Sequence, residues 1–253
     1  MALSLRQFIR QWVLPFVDPR PIAALALLPQ FVCDLKHFRR SAQGQSVHWR
    51  DTFPCLLDRV TKTPFDPHYF YQGAWLARRL SARKPSLHVD VGSSVAMVSV
   101  LSATVPIAFL DYRPLPVHLP GLQCIGGTAT QLPFASGVVP SLSCLHVIEH
   151  IGLGRYGDPL DPQGSRRAAA ELVRVLQPGG WLFLSAPVGR ERVCFNAHRV
   201  FGVDTVRGLF QGLELKSFSL VDDAGQFHEE VSPDAADPLD YGCGCFEFVK
   251  TRE

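Results

Sequence analysis

The stretch that decides the fold is LHVDVG, Leu87–Gly92, followed by the serines at positions 93 and 94. Its apolar residues form a short run that ends in a glycine turn. Short apolar runs bounded by turn residues are typical of strands buried on both faces of a sheet. The next segment, VAMVSVLSA (95–103), is predicted to be a helix. The stretch therefore predicts a strand, a tight turn and a helix, which is the start of a parallel β-α-β unit.

The same alternation continues along the chain. Four more buried strands are predicted, at PIAFLDY (106–112), LQCIGG (122–127), PSLSCLH (140–146) and WLFLSAP (181–187). Strong helix formers fill GSRRAAAELVRVLQPGG (164–180), where Pro-Gly-Gly is a stop signal. A helix is predicted at VDTVRGLF (203–210), and a last strand pair at LELKSFSLV (213–221) and CGCFEFVK (243–250). Strands alternating with helices predict an α/β fold with a mostly parallel sheet and helices on both faces.

The N-terminal region has a different character. Residues 1–65 are rich in proline, arginine and aromatic residues and lack strand-like repetition. They predict a helical N-terminal cap, followed by an α/β domain over residues 66–253. Asp66 and Pro67 are a good start signal for a first helix of that domain.

Composition and charge exclude some function classes. The chain has 253 residues, 47% of them hydrophobic, and a formal net charge of +2, so no strong field points to nucleic acid. Residues 1–84 hold 13 basic and five acidic residues, a net charge of +8, so the rest carries −6. The basic set Arg78, Arg79, Arg83 and Lys84 could face an anionic partner or form a solvated helix end.

Cysteine usage and apolar patterning bear on the compartment. Seven cysteines without a C-x-x-C pair argue against a disulfide framework and favour a reducing cytoplasm. No secretory signal is evident, and PIAALALLPQFV (21–32) is too short to span a bilayer. A helically spaced apolar stripe within residues 5–16 predicts docking on the protein's own core or, alternatively, peripheral contact with the inner face of the membrane; it comprises Leu5, Phe8, Ile9, Trp12, Val13 and Phe16.

The residues at the strand ends carry the chemistry. In an open α/β sheet, ligands bind at the carboxyl ends of the strands. The first strand ends at Asp90 and Gly92, and the second at Asp111, about twenty residues after the turn. An acidic residue at that position accepts hydrogen bonds from both ribose hydroxyls of a nucleoside cofactor. The sequence therefore predicts a nucleoside-binding edge.

These motifs together resemble one superfamily. The ordered series VDVGS, FLDYRP, GTATQLPF, LSCLHVIEHI and LVRVLQPGGWLFLSAP is similar to the class I S-adenosylmethionine-dependent methyltransferases over residues 87 to about 250. That resemblance implies a Rossmann-like seven-stranded sheet whose final strand is antiparallel. SLSCLHVIEHIGLGRYGDPLDP and FNAHRVF resemble, more narrowly, an uncharacterised branch known only as a domain of unknown function, which extends upstream through HYFYQGAW. Members of that branch occur near sugar-polymer biosynthesis functions.

The resemblance implies S-adenosylmethionine as the cofactor and assigns its contacts. Asp90 and Gly92 would lie beside the methionine part, and Ser93 would offer a backbone N–H to its carboxylate. Asp111 would hold the ribose, with Tyr112 stacked near the adenine.

Four further positions complete the implied cofactor site. Thr128 and Ala129 would border the adenine edge, and Leu145 and His146 would close the floor of the pocket under the sulfonium. The first loop departs from the usual pattern, because Gly92 is its only glycine where methyltransferases carry two or three. Thr128 also stands where an acidic residue usually accepts from the adenine amino group. These departures leave open a methyltransferase-like module that binds a partner without catalysis.

For an enzyme, the expected reaction is methyl transfer to a hydroxyl of a sugar or glycan precursor. A hydroxyl acceptor needs a base near neutral pH, and the candidates are His146, His150 and His198, with Glu149 orienting one of them. The predicted acceptor contacts are Arg155 and Tyr156, in a glycine-flanked loop that could act as a lid, and Asn196 and Arg199 after the fifth strand.

Two other enzyme classes have weaker support in the sequence. His146, Glu149 and His150 form H-x-x-E-H, the order found in inverted zinc proteases, which makes a zinc hydrolase a remote alternative. Zinc proteases place that motif inside a helix, whereas His146 is predicted at a strand end, so no metal site is predicted. A nucleotide-sugar enzyme lacks support, because there is neither a second glycine fingerprint nor a Tyr-x-x-x-Lys pair.

Overall fold

A computed structural model describes residues 5, 9–14, 20–41 and 46–252. The chain divides into two compact units, residues 1–64 and 65–253. The described part of the first unit is helical: a π-helix at Ile9–Val13, α1 at Arg20–Ala24, a 3-10 turn at Leu25–Leu27, α2 at Leu28–Ser41 and a 3-10 turn at Trp49–Asp51. Its assignment as a cap stays a prediction.

The apolar stripe predicted within residues 5–16 lies partly outside the described residues, since Phe8 and Phe16 are not among them. Leu5 and Trp12 are 74% and 61% exposed. None of the helices in the described ranges combines the length and the apolar character needed to cross a membrane. Membrane contact through this stripe stays a prediction.

The second unit is built on one large sheet. Its strands are β1 (His88–Val91), β2 (Ile107–Asp111), β3 (Leu122–Gly126), β4 (Val139–Leu145), β5 (Leu176–Val188), β8 (Leu213–Val221), β9 (Phe227–His228) and β10 (Gly242–Lys250), and β6 (Arg192–Cys194) and β7 (His198–Val200) form a separate hairpin. The order is β3-β2-β1-β4-β5-β10-β8-β9, with β1 to β5 parallel and β10 antiparallel to both its neighbours. The predicted mostly parallel sheet with an antiparallel final strand is confirmed.

Two details differ from the prediction. The sheet has eight strands because the two-residue β9 adds to the edge beyond β8. The helix predicted to lead to the stop signal at Pro178 already ends at Val175, and β5 begins at Leu176, before the predicted start at Trp181. Leu176 pairs with Val139 and Trp181 with Ser141, so the intervening Pro-Gly-Gly segment forms an irregularity in the β4–β5 register.

Helices cover both faces of the sheet. They are α3 (Pro67–Arg83), α4 (Val95–Leu101), α5 (Gly164–Val175) and α6 (Val203–Leu209). Residues of α5 and α6 pack in one buried cluster with Val89 and Val91 of β1. Residues of α3 and α4 pack in a second cluster with Ile107 and Phe109 of β2. Successive residues of β2 point to opposite faces, and Ala108 and Leu110 belong to the first cluster, so β2 is apolar on both faces.

Helix α3 begins where the sequence predicts. Oδ1 of Asp66 accepts from the backbone N–H groups of His68 (2.9 Å) and Tyr69 (3.3 Å), which satisfies two unpaired donors of the first turn. Two of the four basic residues at the end of the helix are paired within the protein. Arg79 is buried against Glu229 (2.6 Å), Glu230 (3.5 Å) and Glu247 (3.4 Å), while Arg83 pairs with Glu247 and lies 4.0 Å above the ring of Trp181.

Candidate functional site

The turn after β1 is shaped by a buried carboxylate. Gly92 has a φ of +69°, a conformation that side chains rarely adopt, and an added Cβ would lie 3.3 Å from Val147 Cγ1. Below the turn, the fully buried Asp90 accepts from the Ser93 backbone N–H at 3.0 Å and from the Ser143 hydroxyl. This carboxylate therefore holds the loop in place from beneath.

A histidine continues this network into the sheet. His88 is fully buried, with Nδ1 2.8 Å from the Ser141 hydroxyl and Nε2 2.8 Å from the Ser143 hydroxyl. Burial raises the pKa of Asp90 to about 6, and burial lowers the pKa of His88 to about 3. No local sequence pattern predicts the role of His88 and the two serines, because it depends on the pairing of strands that lie about 50 residues apart in the chain.

A cavity of about 320 Å³ opens at the carboxyl ends of β1, β2, β3 and β4. Among the predicted cofactor-binding residues, those at its surface are Gly92, Ser93, Asp111, Tyr112, Thr128, Ala129 and Leu145, joined by His146. Oδ1 of Asp111 accepts from the Arg113 backbone N–H at 2.7 Å. The Thr128 hydroxyl lies 2.9 Å from that of Thr130. One cavity thus gathers the ends of four strands, as the sheet order requires.

Two of the predicted contacts differ in the structure. Asp90 does not line the cavity, because its carboxylate is buried under the turn. The Ser93 N–H predicted to face a cofactor carboxylate instead donates to Asp90, and the Ser93 hydroxyl accepts from the Leu145 N–H at 3.0 Å. Both side chains therefore tie the turn to its neighbouring strands.

A second cleft of about 540 Å³ adjoins the first cavity. The two share the residues Tyr69, His146 and His150. The cleft is otherwise lined by Asp66, Pro67, His68, Glu149, Arg155, His198, Asp222, Asp223, Ala224, Gly225 and Tyr241. Among the predicted catalytic residues, His146 and His150 face both spaces and His198 faces the cleft alone. The fourth, Glu149, is fully buried in the wall of the cleft.

His146 occupies a constrained position at the end of β4. Its φ is +53°, uncommon for a residue with a side chain, and its N–H donates to the backbone carbonyl (3.0 Å) and hydroxyl (3.1 Å) of Ser185. Nδ1 lies 2.7 Å from Oε1 of Glu149. The rings of His68 and Tyr69 each stack on it at 5.4 Å between centroids. The carboxylate keeps the proton on Nδ1, which leaves the lone pair on Nε2.

His150 and His198 complete the histidine cluster. His150 Nδ1 lies 2.6 Å from the Ala197 carbonyl, which requires a proton on that nitrogen, and Nε2 lies 3.7 Å from Oε1 of Glu149. Burial lowers the pKa of His150, and burial followed by the proximity of His150 lowers that of His198. Both imidazoles are therefore neutral near pH 7 and able to accept a proton.

The glycine-flanked loop is closed by internal hydrogen bonds. Asp158 accepts from the N–H groups of Gly152 (2.7 Å) and Tyr156 (3.3 Å). Tyr156 lines the first cavity, and the guanidinium groups of Arg113 and Arg155 lie 4.8 and 5.2 Å from its ring centroid. Arg155 also lines the second cleft and donates to the Ala197 carbonyl at 3.2 Å. Tyr156 thus connects the loops after β2 and β4 at the rim of the site.

Two predicted acceptor contacts lie away from both spaces. Arg199 is buried and donates to the carbonyls of Glu149 (3.4 Å) and Ile151 (2.8 Å) and to the Ser165 hydroxyl (3.0 Å). Asn196 donates to the Leu153 carbonyl at 3.4 Å. Neither residue lines either of the two spaces. Their hydrogen bonds satisfy backbone carbonyls of the loop after β4 and hold the β6–β7 hairpin against that loop.

The H-x-x-E-H segment is not helical. It runs through bends and turns after β4, and Glu149 bonds to His146 instead of lying opposite a metal. His146 and His150 do not belong to a common group of close ligand atoms among the described residues. The geometry required of an inverted zinc protease is therefore missing from this segment.

Several residues of the site were missed by the sequence analysis. His68, Tyr69 and Tyr241 line the cleft, together with Asp222 and Asp223. The only signal for the first two was that the resemblance extends upstream through HYFYQGAW. Tyr241 and the two aspartates come from the acidic segment between β8 and β10, which reaches the site only in the folded sheet.

Known proteins share this fold and part of this sequence. The family model described as Caenorhabditis protein of unknown function, DUF268, matches residues 138–229, which run from the start of β4 past the histidine cluster to β9. No curated protein has significant sequence similarity to the chain. The similarities to solved structures lie below 20% identity and therefore concern the fold alone.

Three solved structures illustrate the likeness. The N-methyltransferase NodS from Bradyrhizobium japonicum, in complex with S-adenosylhomocysteine, is 16% identical with a TM-score of 0.51 over 79% of this chain and 92% of that one. The Burkholderia thailandensis 1,6-didemethyltoxoflavin-N1-methyltransferase, with its substrate and S-adenosylhomocysteine, is 13% identical with a TM-score of 0.52 over 94% and 92%. The [4+2]-cyclase SpnF is 14% identical with a TM-score of 0.52 over 71% and 82%. The chain therefore has the fold of these S-adenosylmethionine-dependent methyltransferases, and through residues 138–229 it resembles a family whose function is unknown.

Proposed function

We propose that this protein is an S-adenosylmethionine-dependent methyltransferase that methylates a hydroxyl group of a sugar or glycan precursor. The observation that carries the proposal is the adjacency of two spaces that share Tyr69, His146 and His150. The first space lies at the strand ends where a nucleoside is expected to bind, and the second is lined by the neutral imidazoles of His150 and His198. A methyl donor in the first would meet an acceptor in the second at their common wall.

The cofactor would bind across the ends of β1 and β2. Only Oδ1 of Asp111 has a partner among the described residues, so Oδ2 is available to ribose hydroxyls. Tyr112 is 50% exposed at the cavity and offers a face to the adenine. Thr128 and Ala129 would border the adenine edge, and Leu145 the sulfonium. Asp90 and Ser93 would contribute by positioning the turn, with Gly92 allowing close approach of the backbone.

His150 is the side chain best arranged to take the acceptor proton. Its Nδ1–H is committed to the Ala197 carbonyl, which leaves a lone pair on Nε2, and the nearby Glu149 carboxylate would stabilise the imidazolium. S-adenosylmethionine held in the first space would supply the methyl group for the acceptor oxygen, and Nε2 of His150 would accept the proton that the acceptor hydroxyl releases. His146 and His198 would orient the acceptor beside this base.

The charge of the cleft supports a neutral acceptor. Four carboxylates, those of Asp66, Glu149, Asp222 and Asp223, line it against one guanidinium, that of Arg155. These carboxylates would repel an acceptor that carries a phosphate or carboxylate group. Hydroxyl groups can instead donate to carboxylate oxygens, and sugar rings pack on exposed aromatic faces such as those of Tyr69 and Tyr241. An uncharged polyhydroxylated acceptor fits these groups.

Calorimetric titration with S-adenosylhomocysteine tests the cofactor site. We expect one site per chain, and a loss of affinity of about 10-fold to 100-fold in Asp111→Ala, since a hydrogen bond to a charged group contributes about 1.5 to 3 kcal/mol. Asp204→Ala, which removes a 93%-exposed carboxylate on α6, is the matched control and should bind like wild type. Absence of binding at millimolar ligand would refute the proposal.

A methyl-transfer assay distinguishes an enzyme from a non-catalytic binding module. The restricted turn, with its Ser93 N–H committed to Asp90, is the observation that favours a non-catalytic module. The wild-type protein is incubated with methyl-labelled S-adenosylmethionine and a panel of neutral sugars and lipid-linked glycans. Label transfer that requires His150 supports the enzyme. Cofactor binding without transfer to any hydroxyl acceptor supports the module.

A further inference from the structure

Three side chains from distant parts of the chain meet at the wall of the second cleft. They are His68 in the first turn of α3, His146 after β4 and Cys243 near the start of β10. Each residue offers one ligand atom, and these two imidazole nitrogens and one sulfur lie within 4.8 Å of one another. Their meeting depends on β10 inserting beside β5, so that Cys243 reaches the edge of the sheet where β4 ends.

His146 has a buried nitrogen that no protein group satisfies. Its side chain is only 5% exposed, and Nε2 has no hydrogen-bond partner among the described residues. A buried polar atom without a partner costs free energy, so such an atom calls for an explanation. The left-handed backbone at His146 adds a further cost, and the Ser185 hydrogen bonds maintain it. Holding the His146 ring in this position therefore lowers the stability of the folded protein.

The surroundings of His146 are those of a metal-binding histidine. Such histidines commonly donate the other ring N–H to a carboxylate, which orients the ring and raises its basicity. Here Nδ1 lies 2.7 Å from Oε1 of Glu149, so Nε2, which has no partner among the described residues, is the nitrogen left to bind a metal. The ring of His68 lies nearly parallel to that of His146, at an interplanar angle of 11°, and its nitrogens have no hydrogen bond to a described residue.

We propose that His68, His146 and Cys243 bind a zinc ion. Two imidazoles and one thiolate form a donor set that suits this borderline-soft cation, with a fourth position open. In a tetrahedral site, ligand atoms about 2.0 to 2.3 Å from the metal lie roughly 3.3 to 3.8 Å apart, so the cluster would contract by about 1 Å on binding. His68 and His146 line the second cleft, so the open position would face it. An acceptor oxygen could take that position, a consequence that rests on the proposed function, whereas zinc binding itself does not.

Metal content and cobalt spectra of the untagged full-length protein test the site. The reduced protein is dialysed against a chelator, reloaded with zinc chloride and measured by mass spectrometry. We expect one zinc per chain, and a charge-transfer band from thiolate to cobalt when Co²⁺ replaces it. Cys243→Ser should abolish that band and lower zinc affinity more than about 100-fold, because removing an outer-shell partner alone costs about 10-fold to 100-fold. His68→Gln, at a half-exposed helix start, should also lower the affinity and guards against misfolding of the buried Cys243 variant.

Two controls make the outcome decisive. Cys124→Ser removes a thiol on β3, and His198→Gln removes an imidazole of the same cleft outside the proposed set, so both should keep one zinc. Zinc content below stoichiometry, or zinc that persists in both His68→Gln and Cys243→Ser, would overturn the site. Titration of Cys243→Ser with S-adenosylhomocysteine separates the two proposals, since loss of zinc with retained cofactor binding leaves the proposed function intact.

Discussion

Nδ1 of His146 lies 2.7 Å from Oε1 of Glu149, and both side chains are buried at the wall between the two cavities. The same oxygen lies 3.7 Å from Nε2 of His150. One carboxylate thus orients the first histidine and lies within electrostatic reach of the second. Glu149 does not line the cofactor cavity. Its loss should therefore affect the proposed chemistry and leave that cavity unchanged.

We expect Glu149→Gln to reduce the turnover of methyl transfer about 100-fold or more, because a neutral amide cannot stabilise the imidazolium that forms on His150. Affinity for S-adenosylhomocysteine should change less than about twofold, since the interaction is made in the transition state. Steady-state kinetics and calorimetry measure the two effects. Glu171→Gln, which alters a carboxylate bonded to Arg174 and Leu132, should keep full turnover. Equal turnover in both variants would contradict the role given to Glu149.

Asp90 should make stability depend on pH in a direction unusual for an aspartate. Its pKa is raised from 3.8 to about 6 by burial, so the folded state binds a proton more tightly than the unfolded state. The stabilisation is complete below pH 3.8 and is lost as pH rises through about 6. Compared with Asp90→Asn, the wild type should lose about 2 to 3 kcal/mol of unfolding free energy across that window, at about 1.4 kcal/mol per pKa unit.

His88 contributes with the opposite sign. Its pKa is lowered from 6.5 to about 3, so its stabilisation is present above pH 6.5 and is lost as the pH falls. In the wild type the two contributions offset each other between about pH 4 and 6. Denaturant unfolding at several pH values should therefore show a steeper loss on acidification in Asp90→Asn than in wild type. Asp204→Asn is the control, and parallel curves for Asp90→Asn and wild type would contradict this account.

The ion cluster at the end of α3 should be sensitive to the loss of one partner. Glu247 has a side chain only 6% exposed and contacts both Arg79 and Arg83. We expect Glu247→Ala to lower the free energy of unfolding by about 1 to 3 kcal/mol, because it removes the buried carboxylate shared by Arg79 and Arg83, although Glu229 still pairs with Arg79. Glu214→Ala, which breaks a half-exposed pair with Lys216 on the neighbouring β8, should cost less than about 1 kcal/mol. Comparable losses in the two variants would argue against a buried cluster.

Two glycine substitutions should act in opposite directions. Gly92→Ala places a side chain at a φ of +69° and should cost about 1 to 2 kcal/mol of stability. Gly208 lies on the exposed side of α6 with no neighbour within 4 Å of an added Cβ, so Gly208→Ala should stabilise the protein by about 0.5 to 1 kcal/mol. Thermal unfolding of both variants checks this pair. Stabilisation by Gly92→Ala would show that the turn does not need its left-handed conformation.

Much of the fold could be predicted because its signals are local. The apolar runs at β1 to β4 and at β8 and β10, the Asp66 cap and the Gly92 turn each depend on a few consecutive residues, and their order follows from β-α-β geometry. The start of β5 was misplaced at Trp181, because Pro-Gly-Gly is a stop signal locally, whereas pairing with β4 draws Leu176 into the sheet. The gathering of Asp111, Thr128 and Leu145 at one edge was likewise predictable from the sheet rule, without any side-chain contact.

What the sequence by itself determined was therefore the order of strands and helices and the edge of the sheet where a ligand would bind. Only the tertiary structure decided that the Ser93 N–H is used by Asp90, that Arg199 is a buried support, and that His68 and Cys243 meet at His146. The physical reason is that periodicity reports which face of an element is buried, whereas hydrogen bonds and ligand clusters depend on contacts between residues far apart in the chain. Such contacts exist only once the strands are paired.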